Sequence, residues 1–228
     1  MYSTKPIGLA LPKLIAVSVA FILVGLMAGT ASAREEDAGN RKELQGISFD
    51  EFWQRLSEQG GKWAGDKLYV RKVSSGTAGG FDRHAGLSPL WEAQIVKCTD
   101  LKEQRTSENS IPLCKGKAMI VRMAERGLAG MEEGIHMRKE GIFRGNAISF
   151  DRIKLSAAAA EEIANTYKHY RPIGFESYAY ELNIDHSSNR PVWIIKKACS
   201  LRGIVERRCK SKDHWIVRID AETSGIMK

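Results

Sequence analysis

The sequence lacks several features that would assign it to a functional class. It has only six prolines and 21 glycines in 228 residues, with 43% hydrophobic residues, which excludes collagen-like and disordered chains. No long uncharged apolar run occurs after residue 33, so a multi-span membrane protein is excluded. The four cysteines never come close enough for the paired C-x₂₋₄-C spacing of structural zinc, and no C-x-x-C-H haem attachment occurs. His84, His136, His169, His186 and His214 include no H-x-x-x-H pair, and neither G-x-S-x-G nor H-E-x-x-H is present. The glycine-rich stretch 74–80 lacks the Gly-Lys-Ser/Thr ending of a phosphate loop and reads as a connector. The expectation is a chain with no catalytic residues, no metal site and no cofactor.

What is present is positive charge and an address. Lys plus Arg number 35 against 27 Asp plus Glu, a net charge of +8. Lys5 and Lys13 precede an uncharged run from Leu14 to Gly29, and Ala31-Ser32-Ala33 stands before the charged stretch Arg34-Glu35-Glu36-Asp37. A basic start, an apolar centre and small residues at −3 and −1 make residues 1–33 a secretory signal peptide cut after Ala33, followed by a linker over 34–46. The alternative is an uncleaved anchor, since the run approaches the ~20 residues of a membrane-spanning helix. The protein is expected to be periplasmic or secreted, where an even number of cysteines reads as two disulfides.

Self-similarity sets the expected architecture. Ile47-Ser48-Phe49-Asp50 recurs as Ile148-Ser149-Phe150-Asp151, Pro89-Leu90-Trp91 as Pro191-Val192-Trp193, and Cys98 as Cys199. Cys114-Lys115-Gly116-Lys117 answers to Cys209-Lys210-Ser211-Lys212, and Ile120-Val121-Arg122-Met123 to Ile216-Val217-Arg218-Ile219. The order is conserved between the halves, so the chain reads as two diverged copies, 47–146 and 147–228. The fold class is therefore α+β, each copy a helix packed on an antiparallel sheet with one disulfide-closed hairpin.

Helices are expected over 51–59 and 156–170, the second capped by Ser156 with a buried stripe of Ala160, Ile163, Ala164 and Tyr167. Strands are expected over 67–73, 90–98 and 118–123, and over 178–184, 192–199 and 214–219, where Tyr178, Tyr180, Leu182 and Ile184 alternate with Ala179, Glu181 and Asn183. In each copy one cysteine ends a strand and the other stands just ahead of the next. Antiparallel pairing can then join Cys98 to Cys114 and Cys199 to Cys209. Trp91 and Trp193, at matching positions, are expected in the core.

The second copy has an Ala- and Glu-rich helix at 157–164, the Tyr-rich strand, Pro191-Val192-Trp193, and a closing strand that runs into Asp220-Ala221-Glu222-Thr223-Ser224-Gly225, and in these it resembles the PepSY domain family. Ser224 stands between the Thr and Gly of the family's Asp-Ala-x-Thr-Gly ending, and the first copy has Met123-Ala124-Glu125-Arg126-Gly127 there instead. The resemblance implies a helix on an antiparallel sheet, in exported or membrane-associated proteins that often have a suspected role in binding or inhibiting peptidases, without catalytic residues. Two such units in tandem are also similar in architecture to the secreted β-lactamase inhibitor proteins, a likeness that carries no residue-level function.

The excess charge is local. Lys196, Lys197, Arg202, Arg207, Arg208, Lys210 and Lys212 stand against Glu206 alone, whereas the equivalent first-copy span 97–117 has five basic and three acidic residues. Loops carry specificity on a shared scaffold. These seven cations, with Trp215 as an exposed aromatic anchor, are the expected contact residues. The expected function is an exported, non-enzymatic binding protein, an inhibitor or assembly factor acting on an acidic envelope or secreted protein. The alternative is a binder of anionic lipid or cell-wall polymer through the hairpin 196–212. Nucleic acid is not an expected partner of an exported chain.

Overall fold

In a computed structural model, residues 46–76, 84–102, 111–125, 134–210 and 213–228 are described. The expected signal peptide and nearly all of the linker lie outside them, as does most of the glycine-rich connector. The first element is a two-residue strand, β1 (Ile47–Ser48), and Ser48 then caps helix α1 (Phe49–Ala64), its Oγ accepting the Glu51 amide at 3.1 Å. Asp50 and Glu51 in the first turn and Lys62 in the last complement the helix dipole. The chain leaves the helix at Gly65, whose φ of 63° favours glycine. The helix is longer than expected at both ends, because the Phe-Asp of the entry motif is already helical.

Helix α2 (Ala157–Tyr167) begins at Ser156, whose Oγ accepts the Ala159 amide at 3.2 Å. Its buried residues are Ala157, Ala160, Glu161, Ala164 and Asn165, while Tyr167 is half exposed. Ala160 and Ala164 of the expected stripe are buried and Ile163 packs against the core cluster, so the stripe is corrected at Tyr167 alone. Burial is centred toward the 161/165 side of the helix, which leaves Tyr167 about a quarter turn away. Glu161 accepts the Tyr180 hydroxyl, and Asn165 accepts that of Tyr178 at 3.0 Å, so these two polar residues are satisfied where they are buried.

The strands are β2 (Leu68–Ser75), β3 (Leu87–Ser88), β4 (Leu90–Lys102), β5 (Leu113–Ala124), β6 (Gly134–Asn146), β7 (Ile148–Ser149), β8 (Glu176–Ile184), β9 (Pro191–Cys199), β10 (Trp215–Asp220) and β11 (Ile226–Met227). β1 pairs with β3, and the other nine form one antiparallel sheet in the order β11-β10-β9-β8-β2-β4-β5-β6, with β7 also on β2. Strands from the two halves of the chain meet where Val73 faces Leu182 and Ser74 faces Glu181. The long edge strand β6 was not expected. It is exposed along most of its length and shows no apolar alternation.

Both helices share one hydrophobic cluster with the sheet, in which Phe52, Leu56, Trp91, Ala160, Tyr180 and Trp193 are buried. Trp91 and Trp193 are 0% exposed, and their indole N–H groups donate to the carbonyls of Ile47 and Leu155, both at 2.8 Å. Phe49 meets both rings edge-on, at 5.5 Å and 4.9 Å. The opposite face of the sheet carries ion pairs instead: Glu181 with Lys72 at 3.0 Å and with Lys196 at 3.1 Å, and Arg122 with Glu92 at 2.6 Å.

Cys98 is joined to Cys114 and Cys199 to Cys209, with Cα separations of 5.5 Å and 5.9 Å. The setting of the first bond differs from expectation. β4 and β5 continue past both cysteines, so the bond lies within their ladder beside a bulge between Cys98 and Asp100. Gly116, paired with Cys98, permits this approach: a Cβ there would stand 1.9 Å from the Lys97 carbonyl oxygen.

Candidate functional site

The span expected to be a basic hairpin contains a short helix, α3 (Leu201–Val205), between Cys199 at the end of β9 and Cys209. Ser200 caps it, its Oγ accepting the Gly203 amide at 2.9 Å, and the Ser200 amide donates to the Phe175 carbonyl at 2.8 Å. The Gly203 carbonyl then takes the Arg208 amide at 2.9 Å, with Arg207 in the left-handed region at φ 55°. Glycine is favoured at such a helix exit. An arginine there costs on the order of 1 kcal/mol.

Gly203 is the helix residue that faces the protein. A Cβ at that position would stand 2.8 Å from both Cys209 Sγ and the Phe175 carbonyl oxygen. With glycine turned inward, the aliphatic residues turn outward: Leu201 is 66% exposed, Ile204 43% and Val205 74%. Their i, i+3, i+4 spacing places all three on one helix face. The usual burial pattern of a surface helix is thus inverted.

The floor under this knuckle is set by a carboxylate. Glu176, at the start of β8, accepts the amides of Ile173, Gly174 and Phe175 at 2.8, 2.9 and 3.0 Å, together with the Tyr170 hydroxyl. Burial acts to raise its pKa, but the Tyr170 and amide hydrogen bonds outweigh that and hold it below its ordinary 4.5. Burial first, and then the bond to Glu176, push the Tyr170 hydroxyl upward. The ionised carboxylate therefore fixes the turn that presents Phe175, and the guanidinium groups of Arg202 and Arg208 lie 5.5 and 5.6 Å from the Phe175 ring centre.

The expected contact residues separate into two groups. Arg202, Arg207, Arg208 and Lys210 are exposed on the knuckle. Arg202 pairs with Glu206 at 2.8 Å, while no carboxylate among the described residues forms an ion pair with Arg207, Arg208 or Lys210. Lys196 and Lys197 leave the cluster because strand alternation sends them to opposite faces. Lys196 joins Glu181 on the open face of the sheet. Lys197 is only 4% exposed; its Nζ donates to the Asp213 carbonyl at 3.0 Å and lies 4.2 Å from the Tyr170 ring centre.

Trp215 is not an exposed anchor. It packs against the core cluster, edge-on to Tyr178 at 6.0 Å and to Tyr170 at 6.4 Å, because β10 pairs with β9 and directs alternate residues inward. Lys212 lies outside the described residues. The residues that sequence reasoning missed are Leu201, Ile204 and Val205, because a five-residue helix is too short to show a period and its outward direction depends on Gly203 and Phe175. In comparisons with known proteins, no family model, no curated protein and no solved structure matches this chain.

Proposed function

We propose that this chain is an exported, non-enzymatic binding protein, built from two diverged PepSY-like units, that attaches to an acidic component of the cell envelope through the knuckle 199–210. One observation carries the reading: the disulfide-closed loop and the residue after it hold Arg207, Arg208 and Lys210 in solvent, their side chains in no ion pair with a carboxylate among the described residues, although Asp213 accepts the Lys210 amide at 2.9 Å. Charges kept in solvent on a disulfide-closed element suit recognition of an anionic surface. The left-handed Arg207, at a site that favours glycine, points the same way.

Further support comes from the arrangement of the halves. Along the main strand order β2, β4, β5 and β6 of the first half lie on one side and β8 to β11 of the second half on the other, with β7 of the second half crossing to pair with β2; each side has its own disulfide and its own Trp donating to a carbonyl. Two disulfides suit an oxidising, extracytoplasmic compartment. One occupant of the knuckle is an acidic envelope or secreted protein, which the chain would inhibit or help to assemble. The other is anionic lipid or cell-wall polymer, favoured by the aliphatic face of α3.

Reversing Arg207, Arg208 and Lys210 to glutamate is expected to reduce retention of the protein on isolated envelope by about tenfold or more. Its melting temperature should change little, since exposed charges contribute little to stability. Retention equal to that of the unaltered chain would remove the knuckle from the contact.

A further inference from the structure

We infer that the knuckle is a lipid-inserting element: Leu201, Ile204 and Val205 enter the interfacial layer of an anionic bilayer while Arg207, Arg208 and Lys210 meet its phosphate headgroups. The inference rests on the proposed attachment through the knuckle and names the partner.

Three observations lead to it. The exposed aliphatic face is the outer face of a surface helix, so it needs a soft surface to enter, whereas a groove would receive a side chain from a partner. Its position is imposed by the fold: Gly203 is seated against Cys209 and Phe175, with no room for a Cβ, so α3 cannot rotate its aliphatic face inward without losing that contact. The cations follow the aliphatic face directly in sequence, and Glu206, the acidic residue within the closed loop, is held by Arg202. Apolar residues beside Arg and Lys are the pattern of elements that lie in the headgroup boundary, bound by buried apolar area and by attraction to anionic lipid. An acidic protein partner would account for the cations but would leave Leu201 and Val205 in water unless it also offered an apolar cavity.

The test is cosedimentation of the full chain with vesicles of phosphatidylglycerol and phosphatidylcholine, compared with phosphatidylcholine alone. Chains with and without Leu201→Ser plus Val205→Ser share one N-terminus, so any lipid affinity of residues 14–33 cancels in the comparison. The expected result is preferential binding to the anionic vesicles, reduced about tenfold or more by the double serine variant and roughly fivefold by each of Arg207→Gln and Arg208→Gln. Val205→Trp supplies a second readout, a blue shift of emission on anionic vesicles that is absent with neutral ones. Unchanged partitioning of the serine variant, or no blue shift, would overturn the inference. If neither vesicle is bound while envelope retention still depends on Arg207, Arg208 and Lys210, lipid insertion fails and attachment through the knuckle stands. If retention is also independent of those residues, both fail.

Discussion

Replacing Trp193 with alanine is expected to lower the unfolding free energy by about 3–5 kcal/mol, a large part of what a domain of this size possesses. The side chain is 0% exposed in β9 and sits where both helices meet the sheet. Its removal opens a cavity bounded by Phe49, which approaches the indole edge-on at 4.9 Å, and strips the Leu155 carbonyl of its donor at 2.8 Å. Phe49 belongs to α1 and Leu155 stands ahead of α2, so the lost contacts join parts of the molecule distant in sequence. Trp193→Phe separates the two contributions. It keeps most of the ring volume but not the N–H, and should cost roughly 1–3 kcal/mol for the unpaired carbonyl. Urea unfolding measures both, and a loss below about 1 kcal/mol for the alanine variant would contradict this account of the core.

Removing the second disulfide with Cys199→Ala and Cys209→Ala is expected to cost about 3 kcal/mol by chain entropy and to abolish envelope attachment. The bond closes a loop of sequence separation 10, and Cys209 is one wall of the seat for Gly203. A five-residue helix has no stability of its own, so without the seat α3 loses its orientation although every cation and aliphatic residue remains. Cys98→Ala with Cys114→Ala is the matched control. That bond lies in the β4–β5 ladder, away from the knuckle, so its loss should lower stability by a similar amount and leave attachment intact. Equal effects of the two pairs on envelope retention would show that general destabilisation, and not the knuckle, governs attachment.

The parts of the molecule legible in the sequence were those with a local physical signature. Ser156 followed by a run of alanines marks α2, the alternation from Tyr178 to Ile184 marks β8, and the matched tryptophans occupy the core. The cysteine pairing followed from antiparallel strands. β6 was missed because it is an edge strand with a run of exposed residues in its middle, and the two apolar residues that pack inward, Ile135 and Phe143, are too far apart to show a period. Helix α3 was missed because five residues are too few for periodicity, and its direction is set by Phe175, a residue distant in the chain. Lys197 could have been separated from the cations by the alternation of its own strand, since it shares a face with the buried Trp193 and Ile195. Trp215 could be placed only once β10 was paired with β9.

Site-directed photo-crosslinking in the intact envelope tests most directly whether the knuckle is the contact. A photoreactive residue is placed in turn at Leu201 and Val205, and for comparison at Ile142 on the edge strand and Ile216 on the open face of the sheet, which are 87% and 56% exposed. Adducts from positions 201 and 205, and none from 142 and 216, are the predicted result. Adducts from 142 or 216, with none from 201 and 205, would contradict it and place the contact on the sheet.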